Sequence, residues 1–188
     1  PNGEHIVFCS FRSAYPISQL SEENQKRFKV NPSYFGEIYL MRQDGSKVQR
    51  LTYQPGYDGG PFFAPDGKKI IWQRFDDEEL TSDIFTMDLD GTNQQRVTHF
   101  ESVSWAPYFH PSGEYVIFAS NKLNFSNFEL FLVDTEGQHQ PVRVTYNQRF
   151  DGLPVFSPDG NKLCWTSNRT KNGESQLFLA DWNHRSAR

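Results

Sequence analysis

The sequence predicts an all-β protein built as a β-propeller: four blade-like repeats of four-stranded antiparallel sheet, the first and last incomplete, forming part of a larger propeller. Two observations predict this. A ten-residue segment recurs as Asp58-Gly59-Gly60-Pro61-Phe62-Phe63-Ala64-Pro65-Asp66-Gly67, Ser104-Trp105-Ala106-Pro107-Tyr108-Phe109-His110-Pro111-Ser112-Gly113 and Asp151-Gly152-Leu153-Pro154-Val155-Phe156-Ser157-Pro158-Asp159-Gly160, and Pro1-Asn2-Gly3 matches its tail. The final glycines lie 64, 46 and 47 residues apart, a period typical of repeat architectures, with about 18 extra residues in the first step. The second observation is composition. Aromatic residues make up 15% of the chain, and they fall in short apolar runs separated by Gly and Pro turns, which favours strands.

Each repeat offers four strands, A to D. Strand A is the proline-containing run, closed by a Pro-Asp-Gly type turn in which Pro presets φ and Gly takes positive φ. Strand B reads Ile6-Val7-Phe8-Cys9-Ser10, Ile70-Ile71-Trp72-Gln73, Tyr115-Val116-Ile117-Phe118-Ala119 and Leu163-Cys164-Trp165-Thr166-Ser167. Strand C reads Ile38-Tyr39-Leu40-Met41, Ile84-Phe85-Thr86-Met87, Leu130-Phe131-Leu132-Val133 and Leu177-Phe178-Leu179-Ala180. Both are apolar at consecutive positions, as expected of sheets covered on both faces. Tight turns at Asp44-Gly45, Asp90-Gly91 and Glu136-Gly137 lead into strand D, which reads Gln49-Arg50-Leu51-Thr52, Gln95-Arg96-Val97-Thr98 and Val142-Arg143-Val144-Thr145. Arg50, Arg96 and Arg143 fit an outer edge guarded by charge. Pro61, Pro107 and Pro154 mark strand A as the other edge.

A four-stranded unit with two edges, covered on both faces and repeated around a ring, is a propeller blade. The expected boundaries are 1–52 for blade 1 with an insertion at 13–34, 58–98 for blade 2, 104–145 for blade 3 and 151–182 for blade 4. Within the insertion, Leu20 to Phe28 has acids early and bases late, as a short helix matched to its own dipole would. The insertion reads either as a mobile surface loop or as a lid over one propeller face. Phe156-Ser157-Pro158-Asp159-Gly160, Trp165-Thr166-Ser167-Asn168-Arg169 and Gln176-Leu177-Phe178-Leu179-Ala180-Asp181 together resemble the repeat of TolB-type propellers. The resemblance covers the chain outside residues 13 to 34. It implies a periplasmic or otherwise extracytoplasmic location and contacts with envelope proteins.

Composition excludes several classes. The 188 residues carry a formal charge of −4 with 22% charged residues, unlike the clustered basic surface of a nucleic-acid platform. Apolar runs of four or five residues are far short of the ~20 needed to span a bilayer, and any targeting segment would lie before Pro1. Cys9 and Cys164 read as two unpaired thiols, since two isolated cysteines make neither a disulfide framework nor a zinc site.

The residues show no Gly-x-Ser-x-Gly elbow, His-Glu-x-x-His helix or phosphate loop. No catalytic residue, metal ligand or cofactor is expected. The five histidines hold unrelated repeat positions, and His110 reads as a satisfied surface residue before a turn. Asp76-Asp77 and Glu78-Glu79 form an acidic loop without the alternating ligands of a calcium site. Glu37, Asp83, Glu129 and Gln176 open strand C in each repeat. A residue repeated in every blade is better read as a hydrogen-bond anchor than as an active site, which needs asymmetry.

Binding is therefore sought where the repeats differ. The D-to-A connections, Tyr53 to Tyr57, His99 to Ser102 and Tyr146 to Phe150, share one face with the B-to-C loops. Tyr57, His99, Phe100, Arg149 and Phe150 are the candidate binding residues, since Tyr, Phe and Arg anchor interfaces. The preferred function is a non-catalytic module that docks a protein or peptide partner through this face. The alternative is the gating or substrate-recognition propeller of a larger peptidase or hydrolase whose catalytic domain lies outside this chain. A sugar or peptide held in a central channel is a third reading. The ends supply three strands each, so the outer faces of blades 1 and 4, with Phe8, Tyr39, Met41, Trp165 and Phe178, are expected to lie open until missing blades or a second copy cover them.

Overall fold

The computed structural model describes residues 1–12, 15–54, 56–76 and 80–187. Among the described residues, fourteen strands form four antiparallel sheets. Blade 1 holds β1 (His5–Ser10), β2 (Glu37–Arg42) and β3 (Gln49–Arg50). Blade 2 holds β4 (Asp58–Phe63), β5 (Lys69–Phe75), β6 (Ser82–Asp88) and β7 (Gln95–Arg96). Blade 3 holds β8 (Ser104–Phe109), β9 (Tyr115–Asn124), β10 (Asn127–Asp134) and β11 (Val142–Arg143). Blade 4 holds β12 (Asp151–Phe156), β13 (Lys162–Ser167) and β14 (Gln176–Asp181). Every blade is a simple meander with each strand beside its sequence neighbour. The inner strands β4, β8 and β12 pack side by side, with β1 against β4. No helix among the described residues is long and apolar enough to cross a membrane.

The consecutive apolar runs sort to opposite faces. Ile38, Leu40 and Leu51 of blade 1 pack on Ile70, Trp72 and Met87 of blade 2. Ile71, Ile84 and Val97 on the other face of blade 2 meet Val116, Phe118, Phe131 and Val133 of blade 3. Ile117, Ala119, Leu130 and Leu132 then meet Leu163 and Trp165 of blade 4. Each inner strand carries a bulge before its proline, where register shifts between Gly59 and Phe62, Trp105 and Tyr108, and Gly152 and Val155. The bulge residues Gly60, Ala106 and Leu153 take left-handed φ of 59°, 52° and 54°, an uncommon conformation for the two with side chains.

Two expectations are corrected. The strand D arginines do not guard a bare edge by projecting charge, because the guanidinium of each folds back onto the carboxylate that opens strand C. Of the five residues expected to lie open on the end blades, Trp165 and Phe178 pack toward blade 3. Tyr39 is buried, stacked on Phe8, with its hydroxyl donating to the Arg12 carbonyl at 3.2 Å. The exposed apolar side chains of blade 4 are instead Leu153, Val155, Leu177 and Leu179.

The segment between β1 and β2 has a centre of its own. The helix α1 (Glu22–Val30) is capped by the Ser21 hydroxyl, which accepts from the Asn24 N–H at 3.2 Å, and opens with Glu22 and Glu23. Tyr34 and Phe35, in the short 3-10 turn Pro32–Phe35, are buried. Phe28 and Tyr15 pack on Phe35 at 5.3 and 5.7 Å, Phe11 packs on Phe28, and the Arg27 guanidinium sits 4.3 Å over the Tyr34 ring. Tyr15 also donates its hydroxyl to Glu37. An aromatic centre latched to blade 1 organises the described residues of this segment; residues 13 and 14 of the insertion lie outside the described residues.

Candidate docking face

The face that carries the D-to-A and B-to-C loops is built on one repeated device. Glu37 accepts from Arg50 at 2.8 Å and from Thr52 at 2.5 Å. Asp83 does the same with Arg96 at 2.5 Å and Thr98 at 2.8 Å, and Glu129 with Arg143 at 2.8 Å and Thr145 at 2.5 Å. Each threonine hydroxyl also accepts from a backbone N–H of strand C, at 2.9 Å from Ile38, Ile84 and Leu130. The anchor reading of these acids therefore gains specific partners: they hold strand D and the start of the loop that follows. Burial outweighs the Thr52, Tyr15 and Arg50 contacts and raises the Glu37 carboxyl above the usual range.

Immediately after each threonine stands an exposed ring: Tyr53, His99 and Tyr146. Arg50 lies 4.6 Å over Tyr53 and Arg143 lies 4.4 Å over Tyr146, while each tyrosine hydroxyl donates back to that arginine's carbonyl, at 2.9 and 3.4 Å. The two tyrosine rings are thus held against a cation. Of the candidate residues, His99 belongs to this set. Tyr53 and Tyr146 were missed, although the recurrence Arg-x-Thr followed by Tyr, His and Tyr is the signal that finds them.

The other candidate residues differ in exposure. Tyr57 and Phe150 are half-buried and lie flat over Gly59 and Gly152, where a Cβ would fall 2.2 and 2.5 Å from the rings. Blade 3 reverses this arrangement, with Val103 at the ring position and Trp105 at the glycine position. Trp105 packs on Phe150 at 6.4 Å and Phe150 on Phe128 at 5.8 Å. Phe100 packs on Phe118 and Phe131 under the Lys122 ammonium, 3.8 Å from its ring centre. Arg149 is exposed, its guanidinium 3.4 Å from the carbonyls of Asn168 and Thr170. Tyr57, Phe100 and Phe150 therefore brace the loops, whereas His99 and Arg149 face solvent. In the acidic loop, Asp76 accepts from Leu80 and Thr81, at 2.9 and 2.8 Å for the closest contacts. Asp77, Glu78 and Glu79 lie outside the described residues.

Exposed large apolar side chains are unevenly distributed. Phe11 just before the insertion, Ile17 and Val30 within it, Leu80 and Phe125 of the other B-to-C loops, Leu123 near the end of β9, and Tyr53 and Tyr146 all lie on this face, whereas the opposite end exposes Val48 and, at the start of β11, Val142 among the described residues. Phe125, at the tip of the β9–β10 hairpin, is 85% exposed and Tyr146 75%.

Among the described residues no cluster of three or more His, Cys, Asp or Glu side chains is placed to hold a metal ion. Cys9, beside Tyr57, is pushed up to about 11 by burial, and Tyr57 to about 12 by burial and by that cysteine, so neither is an activated nucleophile at neutral pH. His110 is not the surface residue expected. It is 4% exposed, its ring 4.7 Å from those of both Tyr115 and His184, which are 5.7 Å from each other, and its Nε2 is 3.2 Å from the Gly160 carbonyl. Burial lowers its pKa.

Among curated proteins none matches the chain. A TolB protein of Acinetobacter baumannii is 24% identical with a TM-score of 0.67, covering 82% of this chain and 37% of that one. A protein of Agrobacterium tumefaciens described as a TolB is 25% identical with a TM-score of 0.66, covering 78% of this chain and 53% of that one. A puromycin-hydrolyzing peptidase of Mycobacterium tuberculosis is 14% identical with a TM-score of 0.60, covering 80% and 25%. The chain spans about half the length of the Agrobacterium protein and less of the others. The family model described as the TolB beta propeller domain matches residues 72–188, and with the blade geometry above this shows that the chain belongs to the TolB beta propeller family.

Proposed function

We propose that this chain is a non-catalytic protein- or peptide-binding propeller module that works outside the cytoplasm and docks its partner on the face of the D-to-A and B-to-C loops. The observation that carries this reading is the asymmetry of exposed apolar side chains, eight of them on that face, four of these aromatic, against Val48 and Val142 at the opposite end among the described residues. Rigid aromatic side chains supply large contact area at low entropic cost. Tyr53, His99, Tyr146, Phe125 and Arg149 make the contacts in this proposal, and Tyr57, Phe100 and Phe150 hold the loops in place. Similarity to part of a puromycin-hydrolyzing peptidase favours one second reading, in which the same face screens substrates for a catalytic domain elsewhere in a longer protein.

Panning the purified chain against a random peptide library, with amide exchange mapping of the selected peptides, tests the proposal. Protection confined to the 51–57, 97–103, 121–128 and 144–150 segments, with at least tenfold weaker binding by the Tyr53→Ser/Phe125→Ser variant, is expected. Protection of the A-to-B and C-to-D turns instead would overturn it.

A further inference from the structure

At the end of the blades opposite the docking face, neighbouring blades meet through the residue before the A-to-B turn, the first residue of strand B and the end of strand C. Between blades 3 and 4 these positions hold His110 and Tyr115 on one side and Phe156 and Trp182 on the other. The four rings close on one another. His110 lies 4.7 Å from Tyr115 and 4.8 Å from Phe156, Phe156 lies 5.2 Å from Trp182, and the Trp182 Nε1 donates to the Tyr115 hydroxyl at 2.8 Å. His110 reaches so far across that a Cβ on Gly160 of the facing turn would stand 2.8 Å from its Nε2.

Between blades 2 and 3 the same four positions hold Ala64, Lys69, Phe109 and Thr135. One aromatic ring is kept, and the places of the imidazole, phenol and indole go to an alanine, a lysine and a threonine. Nothing but its chain neighbours, among the described residues, stands within 4 Å of where a Cβ would lie on Gly113. A cavity of about 640 Å³ opens there, lined by all four residues and by Pro65 and Pro111, a size suited to small molecules. Ala64 and Phe109 give it a buried apolar wall. Charge is held at the same place, where the Lys69 ammonium meets Glu136 of the facing blade at 3.2 Å with the two side chains 37% and 45% exposed. An ion pair this open to water is weak, so its partners are readily exchanged.

We propose that this cavity is a binding site for a free aromatic amino acid. The ligand ring takes the space that the His110 and Trp182 rings fill one blade further on, against Phe109 and beside Pro65 and Pro111. Its α-carboxylate accepts from the Lys69 ammonium and its α-ammonium donates to Glu136. The ligand thereby enters the ion pair and leaves each side chain with a partner of opposite charge. A ligand with one of the two charges would leave either Lys69 or Glu136 unmatched.

The probe is L-tryptophan, titrated into the full chain by calorimetry, with amide exchange to locate it. Saturable binding with half-saturation below ~1 mM and protection of the 64–69 and 109–113 segments are expected. Tryptamine, which lacks the carboxylate, and indole-3-propionate, which lacks the ammonium, should bind at least tenfold more weakly, as should tryptophan to Lys69→Met. Ala64→His/Thr135→Trp, which refills the cavity with the residues of the next interface, should abolish binding while thermal unfolding stays cooperative; if that variant does not fold, Lys69→Met, which leaves the cavity open, decides. Phe125→Ser should leave binding unchanged, which separates this site from the docking face. Absence of saturation at ~10 mM tryptophan, protection confined to other segments, equal binding of tryptamine, or equal binding of acetyl-Gly-Trp, the mark of a peptide end as the occupant, would each overturn the proposal.

Discussion

Glu129 has no exposed side-chain surface, yet it meets its arginine and threonine at 2.8 and 2.5 Å. A buried acid of this kind is tolerated because both oxygens are satisfied, and removing it strands the cation rather than merely deleting a contact. Glu129→Ala should therefore cost about 3 kcal/mol of unfolding free energy, and pairing it with Arg143→Met should recover part of the loss. Urea denaturation of the two single variants and the double checks this; a double loss equal to the sum of the two single losses would mean that the pair is not coupled. The regular spacing of Glu37, Asp83, Glu129 and Gln176 made the anchor role legible in the sequence. The identity of the partners was not legible, because a two-residue strand such as Gln49–Arg50 gives no periodicity to show which way its arginine turns. His110 was misjudged for a related reason, since the stack with Tyr115 and His184 joins residues up to 74 positions apart in sequence.

At the scale of elements, the helix in the insertion was legible to within two residues at each end, because its cap and dipole signals are local: Ser21, Glu22 and Glu23 at the start, Arg27 and Lys29 at the finish. The aromatic centre was not, since Phe11, Tyr15, Phe28, Tyr34 and Phe35 follow no common period and meet only through the fold. The two features predict different fates under protease. No residue of α1 is buried, so trypsin should cut first at Lys26 or Lys29, while the buried 34–36 turn and the strands resist. Mass spectrometry of early fragments reads the outcome, and first cleavage within β5, β6, β9 or β10 would show that the blades are looser than their packing implies. The bulge in each inner strand also escaped the sequence. Ala106 and Leu153 take left-handed φ with side chains that ordinarily avoid it, so only the glycine at position 60 hinted at the kink.

At the scale of the molecule, the four antiparallel sheets and the fourteen strands among the described residues were legible because a period of 46 to 47 residues repeats every turn and apolar run together. Which face each apolar side chain takes was less legible. In a run such as Leu163-Cys164-Trp165 both faces carry apolar groups, and a one-residue shift exchanges them. That is why Trp165 and Phe178, read as outward, pack on blade 3 instead. The two end blades differ in consequence. The outer face of blade 1 has Phe8 and Tyr39 stacked together and tied to the segment that follows β1 by the Tyr39–Arg12 hydrogen bond, and of its β1 side chains Ile6 is 40% exposed. In blade 4, Val155, Cys164 and Leu179 stand in register across three strands, and Leu177 and Leu179 are 76% and 66% exposed. A contiguous apolar stripe of this kind binds environment-sensitive hydrophobic dyes. The Leu177→Lys/Leu179→Lys variant should lose more than half of the dye fluorescence of the folded chain, whereas Ile6→Lys should change it little. Because both leucines already face water, the double variant should shift stability by no more than about 1 kcal/mol. Undiminished dye binding in that variant would move the exposed apolar surface to the loop face, where Phe125 and Tyr146 stand.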